Sequence, residues 1–153
     1  MTDYFQGNFP LQSIPLTKNP VKSPLAQTED ESGKLAATIA EAASDRKAGE
    51  ILLLRVAEVS YLSDYFVMMT GYSRVQVRAI AAAIEAKVES DWQRHPLRTE
   101  GKAEGSWVLQ DYGDVIVHIM MPKEREFYNL EAFWGHAERI SLPNSDDGGG
   151  QPK

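Results

Sequence analysis

The residue whose type most readily suggests chemistry is His118, inside the apolar run of residues 115–121. A catalytic imidazole needs a nucleophile or an orienting carboxylate within hydrogen-bond reach, and Asp111 and Asp114 lie close to it along the chain. The chain has no cysteine, however, and no serine in the G-x-S-x-G elbow of hydrolases. We therefore predict no catalytic residue and interpret His118 as a structural or interface histidine.

Metal-assisted chemistry is also poorly supported by spacing, and we predict neither a metal site nor a cofactor. The histidines at 95, 118 and 136 are scattered, without the His-x-x-x-His pairing of many zinc sites. A nucleotidyltransferase needs two carboxylates one residue apart on a strand to hold magnesium. Asp111 and Asp114 are three residues apart around a glycine turn, so they do not meet this requirement. The sequence therefore predicts a protein that is not an enzyme.

A second candidate site begins the most regular helical pattern of the chain. Ser73 follows a glycine and precedes Arg74 and Arg78. Cations at a helix N-terminus oppose the helix dipole by a few tenths of a kcal/mol, and an anion gripped by the free backbone N–H groups would offset that cost. The favoured interpretation is two arginines on a solvated helix face. The functional alternative is that these three residues contact phosphate, in a nucleotide or in RNA.

The composition bounds the class of protein. A chain of 153 residues with 42% hydrophobic residues has room for one domain with a buried core. The net charge of −6 argues against sequence-blind coating of nucleic acid but leaves room for a local basic patch. No apolar run reaches the ~20 residues of a membrane helix, and the N-terminus lacks a secretory signal pattern. We predict a cytoplasmic protein that does not enter membranes.

The chain divides into three parts. Residues 1–33 contain prolines at intervals of four or five and end in an acidic stretch, which predicts a disordered extension. An organelle transit peptide is an alternative for this segment, although such peptides are usually Arg-rich and poor in acids. Residues 34–140 are the predicted folded domain. Residues 141–153 are predicted to be a flexible tail.

The elements of the folded domain follow from hydrophobic periodicity and turn residues. In chain order they are a helix over 34–48, strands over 51–57 and 65–70, a helix over 73–92, a short edge strand within 97–105, a hairpin with strands over 106–110 and 115–121, and a helical segment over 123–140 interrupted near Asn129. This order predicts a single α/β domain, with a mixed sheet of about four to five strands flanked by helices.

Both strands of the hairpin are apolar on both faces. Side-chain alternation puts Trp107 on one face of its strand and Tyr112 on the other, while His118 and Met120 share one face of the second strand. Because few helices are available to cover the sheet, one face is expected to leave an apolar, aromatic patch in water. Such a patch suits a protein partner. The alternative is that these residues form ordinary core.

Three stretches of the chain resemble the ribosomal silencing factor family, also called iojap-related proteins. They are "DYFVMMTGYSRVQVRAIA", the glycine-bounded "EGKAEG", and "WVLQDYGDVIVHIMMPKEREFYNLEAFW". The resemblance covers roughly residues 34–140 and rests on long runs rather than on a short motif. It leaves the proline-rich front of the chain outside.

This resemblance implies a fold related to nucleotidyltransferases but without their catalytic carboxylate pair. It also implies a translational repressor. Such a protein binds the large ribosomal subunit through ribosomal protein L-fourteen, sterically blocks joining of the small subunit when nutrients are short, and is often a homodimer when free. Neither a cofactor nor an enzymatic activity is implied.

Carried onto this chain, the resemblance also implies a set of contact residues. The partner-binding positions are Trp107, Tyr112, His118 and Met120, with Lys123 and Glu126 at the rim. Where many relatives read "HPEEREFY", this chain has "MPKEREFY", so Met121 and Lys123 alter the rim and its charge pairing. Two alternatives stay open. One is a nucleotide-using enzyme that holds phosphates at Ser73, Arg74 and Arg78, and the other is a dimer that contacts ribosomal RNA through these arginines.

Overall fold

The computed structural model describes residues 30–58 and 63–141, so the predictions for most of the N-terminal extension and the C-terminal tail lie outside the described residues. The helices are α1 (Glu31–Asp45), α2 (Arg74–Trp92), α3 (Pro122–Tyr128) and α4 (Leu130–Phe133). The strands are β1 (Gly49–Arg55), β2 (Tyr65–Thr70), β3 (Arg98–Glu100), β4 (Trp107–Asp111), β5 (Val115–Met120) and β6 (Glu138–Ile140). No described helix is long and apolar enough to cross a membrane.

The strands form one mixed sheet in the order β3-β4-β5-β2-β1-β6. Strands β2 and β5 are parallel, and every other neighbouring pair is antiparallel. A parallel pair needs a long crossover connection, which α2 and the β3–β4 segment supply. The predicted single α/β domain with a mixed sheet is confirmed, but the described residues hold six strands rather than four or five.

One face of the sheet carries α1 and α2. The hydrophobic core lies between them and the sheet and includes Leu35, Ile39, Ile80 and Ile84 from the helices and Val67, Val108, Val115, Val117 and Ile119 from the strands. The predicted alternation of β5 is confirmed, because its valines and Ile119 point to the helices while Ile116 belongs to the cluster on the opposite face.

Within residues 30–58 and 63–141, the opposite face carries only α3, α4 and the residues that follow them. Its buried cluster is small and includes Leu54, Phe66, Met68 and Ala137, with Leu130 and Trp134 packed against it. Two helices of seven and four residues cannot cover a six-stranded sheet. Part of this face is therefore accessible to solvent.

Capping residues set the start of both long helices. The Ser73 hydroxyl accepts from the backbone N–H of Gln76 at 3.0 Å, which confirms the predicted N-cap of α2. Helix α1 begins three residues before the predicted start, because Asp30 caps it by accepting from the N–H of Gly33 at 3.0 Å. It also ends earlier, at Asp45, as the chain turns at Lys47 with a φ of 65°.

The predicted C-terminal helix over 123–140 is correct only in its first part. Asn129 takes a left-handed conformation with a φ of 47°, which separates α3 from α4 as the sequence suggested. The chain then forms β6, which pairs with the edge of β1 and places Ile140 opposite Leu53. Pairing with an open sheet edge is a tertiary interaction, and it overrides the local helical pattern.

Candidate docking surface

A row of seven rings crosses the less covered face of the sheet, and we call it the aromatic row. In order it comprises Phe127, Tyr128, Trp107, His118, Phe66, Trp134 and Phe133. Successive ring centroids are 4.9, 4.9, 6.0, 5.4, 5.2 and 5.1 Å apart. These spacings lie within the range in which aromatic rings attract one another, so the row is one continuous packed unit.

The aromatic row is buried in its middle and open at both ends. Phe66 and His118 are buried, whereas Phe127 is 77% exposed, Tyr128 51% and Phe133 73%. Trp107, Leu109 and Ile116 are partly exposed between them. Large apolar side chains that share one face and remain in water mark a site for another macromolecule.

Local sequence explains how the row is assembled. The β4–β5 hairpin pairs Trp107 with Met120 and Leu109 with His118. Pro122 then starts α3 directly after β5, as proline suits the first turn of a helix. Helix α3 turns back over the sheet, and this brings the Tyr128 ring to 4.9 Å from that of Trp107.

His118 packs against Trp107 and accepts a hydrogen bond from it. The indole N–H of Trp107 donates to Nδ1 of His118 at 3.3 Å, so that nitrogen must be unprotonated. Burial lowers the pKa of His118 from 6.5 to about 4, which keeps the imidazole neutral near pH 7 and able to accept. The Asp114 carboxylate instead accepts from Arg94 and Ser32, and Asp111 accepts from the N–H of Gly113.

Arg125 fixes α3 to the sheet. Its guanidinium is buried and donates to the carbonyl of Glu50 at 2.7 Å, to the Thr70 hydroxyl at 2.9 Å and to the Glu131 carboxylate at 3.2 Å. The register of β1 shifts between Gly49 and Leu52, and such a bulge leaves the Glu50 carbonyl outside the regular ladder. One side chain thus ties α3 and α4 to the ends of β1 and β2.

Comparison with known proteins assigns the family. A family model described as "Ribosomal silencing factor during starvation" matches residues 29–152. The chain belongs to the ribosomal silencing factor family. This membership agrees with the resemblance seen in the sequence, and the match extends past it at both ends.

Relatives in this family come from a plant and from bacteria. "Protein Iojap, chloroplastic" of Arabidopsis thaliana is 38% identical over 128 residues, which cover 82% of this chain. This chain spans only about half of that protein, 53% of its length. "Ribosomal silencing factor RsfS" of Bacillus subtilis is 41% identical over 103 residues, covering 67% of this chain and 86% of that protein.

A solved structure shows the same fold. The crystal structure of a protein from Chromobacterium violaceum superposes with a TM-score of 0.65 at 33% sequence identity, covering 72% of this chain and 90% of that one. The α/β arrangement described above is therefore that of a solved relative.

Two of the positions that the family resemblance suggested for partner binding are inaccessible. Tyr112 is 2% exposed and Met120 1%. Tyr112 lies on the helix-covered face with Val108, and Met120 is the strand partner of Trp107 on the other face. The expectation that both are exposed to a partner is wrong, because each side chain is sealed within the monomer.

The other four positions predicted for partner binding differ in their exposure to solvent. Trp107 is partly exposed, whereas His118, at 6% exposed, is also buried and accepts a hydrogen bond from the Trp107 indole. Lys123 and Glu126 are exposed on α3. Their roles at a rim stay predictions.

At the start of α2, the three predicted anion-binding residues behave differently. The Ser73 hydroxyl is used as the N-cap. Arg78 donates from Nε to the carbonyl of Lys102 at 2.9 Å and from Nη2 to that of Ala103 at 2.7 Å. Arg74 is exposed. The anion contact at these residues stays a prediction, and the sequence could not show that Arg78 also holds a loop.

Sequence reasoning missed the exposed members of the aromatic row and Arg125. The sequence does contain a pattern that indicates these rings: two pairs of adjacent aromatic residues, at 127–128 and 133–134, within one short segment. The predicted interruption near Asn129 located the break but not the direction of the chain after it, and that direction decides where the second pair lies.

Proposed function

We propose that this protein is a translational repressor that binds the large ribosomal subunit through ribosomal protein L-fourteen, with the exposed part of the aromatic row as its docking surface. Membership of the ribosomal silencing factor family supports the ribosome as partner. The observation that supports the surface is the exposure of Phe127, Tyr128 and Phe133 around the partly exposed Trp107. Repression would belong to conditions of nutrient limitation.

The chemistry of the surface suits a protein partner. Aromatic residues are enriched among the few side chains that supply most of the energy of an interface. The rings here are held in fixed positions by one another and by Arg125, so little conformational entropy is lost when they are covered. Exposed charges at Lys123 and Glu126 would lie at the rim.

The mechanism is steric. A domain of about 100 residues is roughly 25–30 Å across. Docked beside the joining surface of the large subunit, such a body occupies space that the small subunit needs. An interface of about 1,600 Å² suffices for stable binding, and no catalytic step is involved.

Two further parts of this proposal concern the free protein. The same exposed rings could be covered by a second copy, so we propose that the free chain forms a homodimer that competes with docking. The cytoplasmic location stays a prediction, since the Arabidopsis thaliana relative is named chloroplastic.

A nucleotide-using enzyme is the less favoured function. Such an enzyme would need Ser73 and Arg78 for phosphates, yet both side chains already have partners within the fold. His118 has its acceptor nitrogen occupied by Trp107. We therefore do not propose a reaction for this protein.

Sedimentation with separated ribosomal subunits tests the proposal. The double variant Phe127→Ala/Phe133→Ala removes the two most exposed rings. Loss of a single hot-spot side chain costs about 2 kcal/mol or more, so affinity for the large subunit should fall at least about thirtyfold, and reassociation with the small subunit should recover.

Leu97→Ala is the matched control, because Leu97 is equally exposed at 74% but lies outside the aromatic row, near Gly113. It should bind as the wild type does. The proposed surface is wrong if the double variant keeps its fold by circular dichroism and still travels with the large subunit at wild-type concentrations.

A further inference from the structure

A second surface lies at one end of the molecule, around the first turns of α2, and we call it the basic end. It comprises Arg46, Lys47, Arg74, Arg78 and Lys102, together with Tyr72. All six side chains are exposed. They come from three separate segments of a chain whose net charge is −6, so the fold concentrates cations that the sequence disperses.

Hydrogen bonds join the three segments. The Gln76 side-chain amide donates to the carbonyls of Arg46 and Lys47 at 3.1 Å each, which ties the end of α1 to α2. Arg78 donates to the carbonyls of Lys102 and Ala103, which ties the loop before β4 to the same helix. The five cations are therefore held near one another rather than carried on independent loops.

The positive charge of the basic end is not neutralised within the described residues. Lys34, Arg55, Lys87, Arg94, Arg98 and Arg125 each have a carboxylate within 4.0 Å. In residues 30–58 and 63–141, none of the five cations of the basic end has one. The partners of Arg78 are neutral carbonyls, so it keeps its full charge. Asp45 and Glu104 adjoin the group in sequence and are too few to balance it.

Tyr72 adds an aromatic platform to this charge. Its ring lies against Gly49, where an added Cβ would overlap the hydroxyl. Its backbone N–H donates to the Gln76 side chain at 2.7 Å. The side chain is nevertheless 56% exposed. An anchored, exposed ring among cations is the arrangement with which proteins stack a base beside a bound phosphate backbone.

The basic end lies at the same end of the sheet as Trp107 of the aromatic row. Gly105 packs against the Arg78 guanidinium and the Cβ of Arg74, and Trp107 follows two residues later. The N–H of Gly71, next to Tyr72, donates to the carbonyl of Met120 at 3.0 Å, and Met120 is the strand partner of Trp107. Both surfaces therefore lie at one end of the strands, with the aromatic row on the sheet face opposite α2.

We propose that the basic end binds the phosphate backbone of RNA, with Tyr72 available to stack on a base. This inference rests on the proposed function in one respect: the RNA is that of the ribosomal subunit next to the docked protein. Two observations favour RNA over an acidic protein, namely the exposed ring and the spread of the cations over three segments, which suits a linear polyanion. Counterion release makes such binding salt-dependent.

The test compares the variant Arg46→Ala/Lys47→Ala/Arg74→Ala/Lys102→Ala with the wild type. Arg78 is left in place because it holds the loop. The affinity of the full chain for purified large subunits is measured at several salt concentrations. We expect the variant to bind about tenfold or more weakly near physiological salt, with a shallower dependence of affinity on salt, since each lost phosphate contact lowers the slope by about one.

The matched control is Lys34→Ala/Lys87→Ala, which removes two cations that lie outside the basic end and have carboxylate neighbours. It should leave both the affinity and the slope unchanged. Equal slopes for the fourfold variant and the wild type would overturn the inference while leaving the proposed function intact, because that function is judged by the aromatic-row variant.

A second arm uses fluorescence anisotropy with a labelled 20-base-pair RNA hairpin, a poly-glutamate peptide and magnesium-ATP, so it does not depend on subunit binding. We expect the hairpin to bind the wild type more tightly than the fourfold variant. Preferential binding of the peptide would show an acidic protein site, and tight binding of magnesium-ATP that Arg74→Ala abolishes would show a nucleotide site. Either result, or equal hairpin affinities, would contradict the inference.

Discussion

The two faces of the sheet are built in different ways. The face under α1 and α2 is packed with aliphatic side chains that are almost wholly sealed, such as Ile39, Ile84 and Val117. The other face is crossed by rings, and in the described part of the chain only two short helices cover it. The first face contains most of the buried core and should supply most of the stability. The rings on the second face remain partly exposed. The sheet thus has one face that is mainly core and one face that we propose for docking.

The aromatic character of the open face has a physical reason. Large rigid rings offer much contact area with few rotatable bonds, so covering them costs little entropy. Aliphatic side chains in the same positions would need a close-fitting cover to give comparable packing. The open face can therefore stay ordered without a cover of its own.

The largest effect should come from the covered face. Ile84→Ala removes a side chain that is 0% exposed between α2 and the sheet. Such a cavity costs about 2–5 kcal/mol of unfolding free energy, which urea denaturation would measure. If the variant unfolds at the same urea concentration as the wild type, this face is not the main stabilising core.

An intermediate effect should come from acid, through His118. Its folded pKa of about 4 lies below the ordinary 6.5 because the ring is buried. Between these values the unfolded chain binds more protons than the folded one, so stability is complete above pH 6.5 and is lost as pH falls toward 4. The loss is about 1.4 kcal/mol per pH unit at most, roughly 3 kcal/mol in total.

The control for this prediction is His118→Gln, which can still accept from Trp107 but does not titrate. Burial raises the pKa of Asp64, and that group stabilises the fold as pH falls, which opposes the His118 effect. The wild type and His118→Gln both contain Asp64. The difference between their curves of unfolding free energy against pH therefore reports His118 alone. Curves that run parallel from pH 7 to pH 4 would contradict the buried, neutral histidine.

The smallest effect on stability should come from the open end of the aromatic row. Phe127 is 77% exposed, and substitutions of exposed residues usually change stability by no more than about 0.5 kcal/mol. Phe127→Ala should therefore unfold at nearly the wild-type urea concentration while binding the large subunit less well. A loss of stability as large as that of Ile84→Ala would remove the distinction between the two faces.

Much of the fold could be predicted from local patterns. The apolar periodicity of α2, its cap at Ser73 and the turn at Gly113, which has a φ of 94°, all come from contacts within a few residues. The alternation of β4 and β5 also gave the correct faces. It had already placed Tyr112 and Trp107 on opposite faces, so both could not belong to one docking surface.

The candidate site was only partly predictable. Trp107 was identified because it stands in an apolar strand, but Phe127 and Tyr128 belong to the short helix before the break at Asn129, and Phe133 and Trp134 lie after it. The direction of the chain beyond Asn129 depends on the Arg125 contacts with Glu50 and Thr70, which are 75 and 55 residues away in sequence. The basic end depends likewise on carbonyls of a distant loop accepting from Arg78.

The sequence by itself determined the family, the order of most elements and the faces of each strand, because these follow from residue type and from neighbours close along the chain. Only the tertiary structure decided which face of the sheet stays open, that the chain after α4 adds a sixth strand, and that dispersed cations meet at one end of α2. Exposure is a property of how distant segments cover one another. A local pattern marks a side chain as apolar, but the rest of the fold decides whether that side chain forms core or surface.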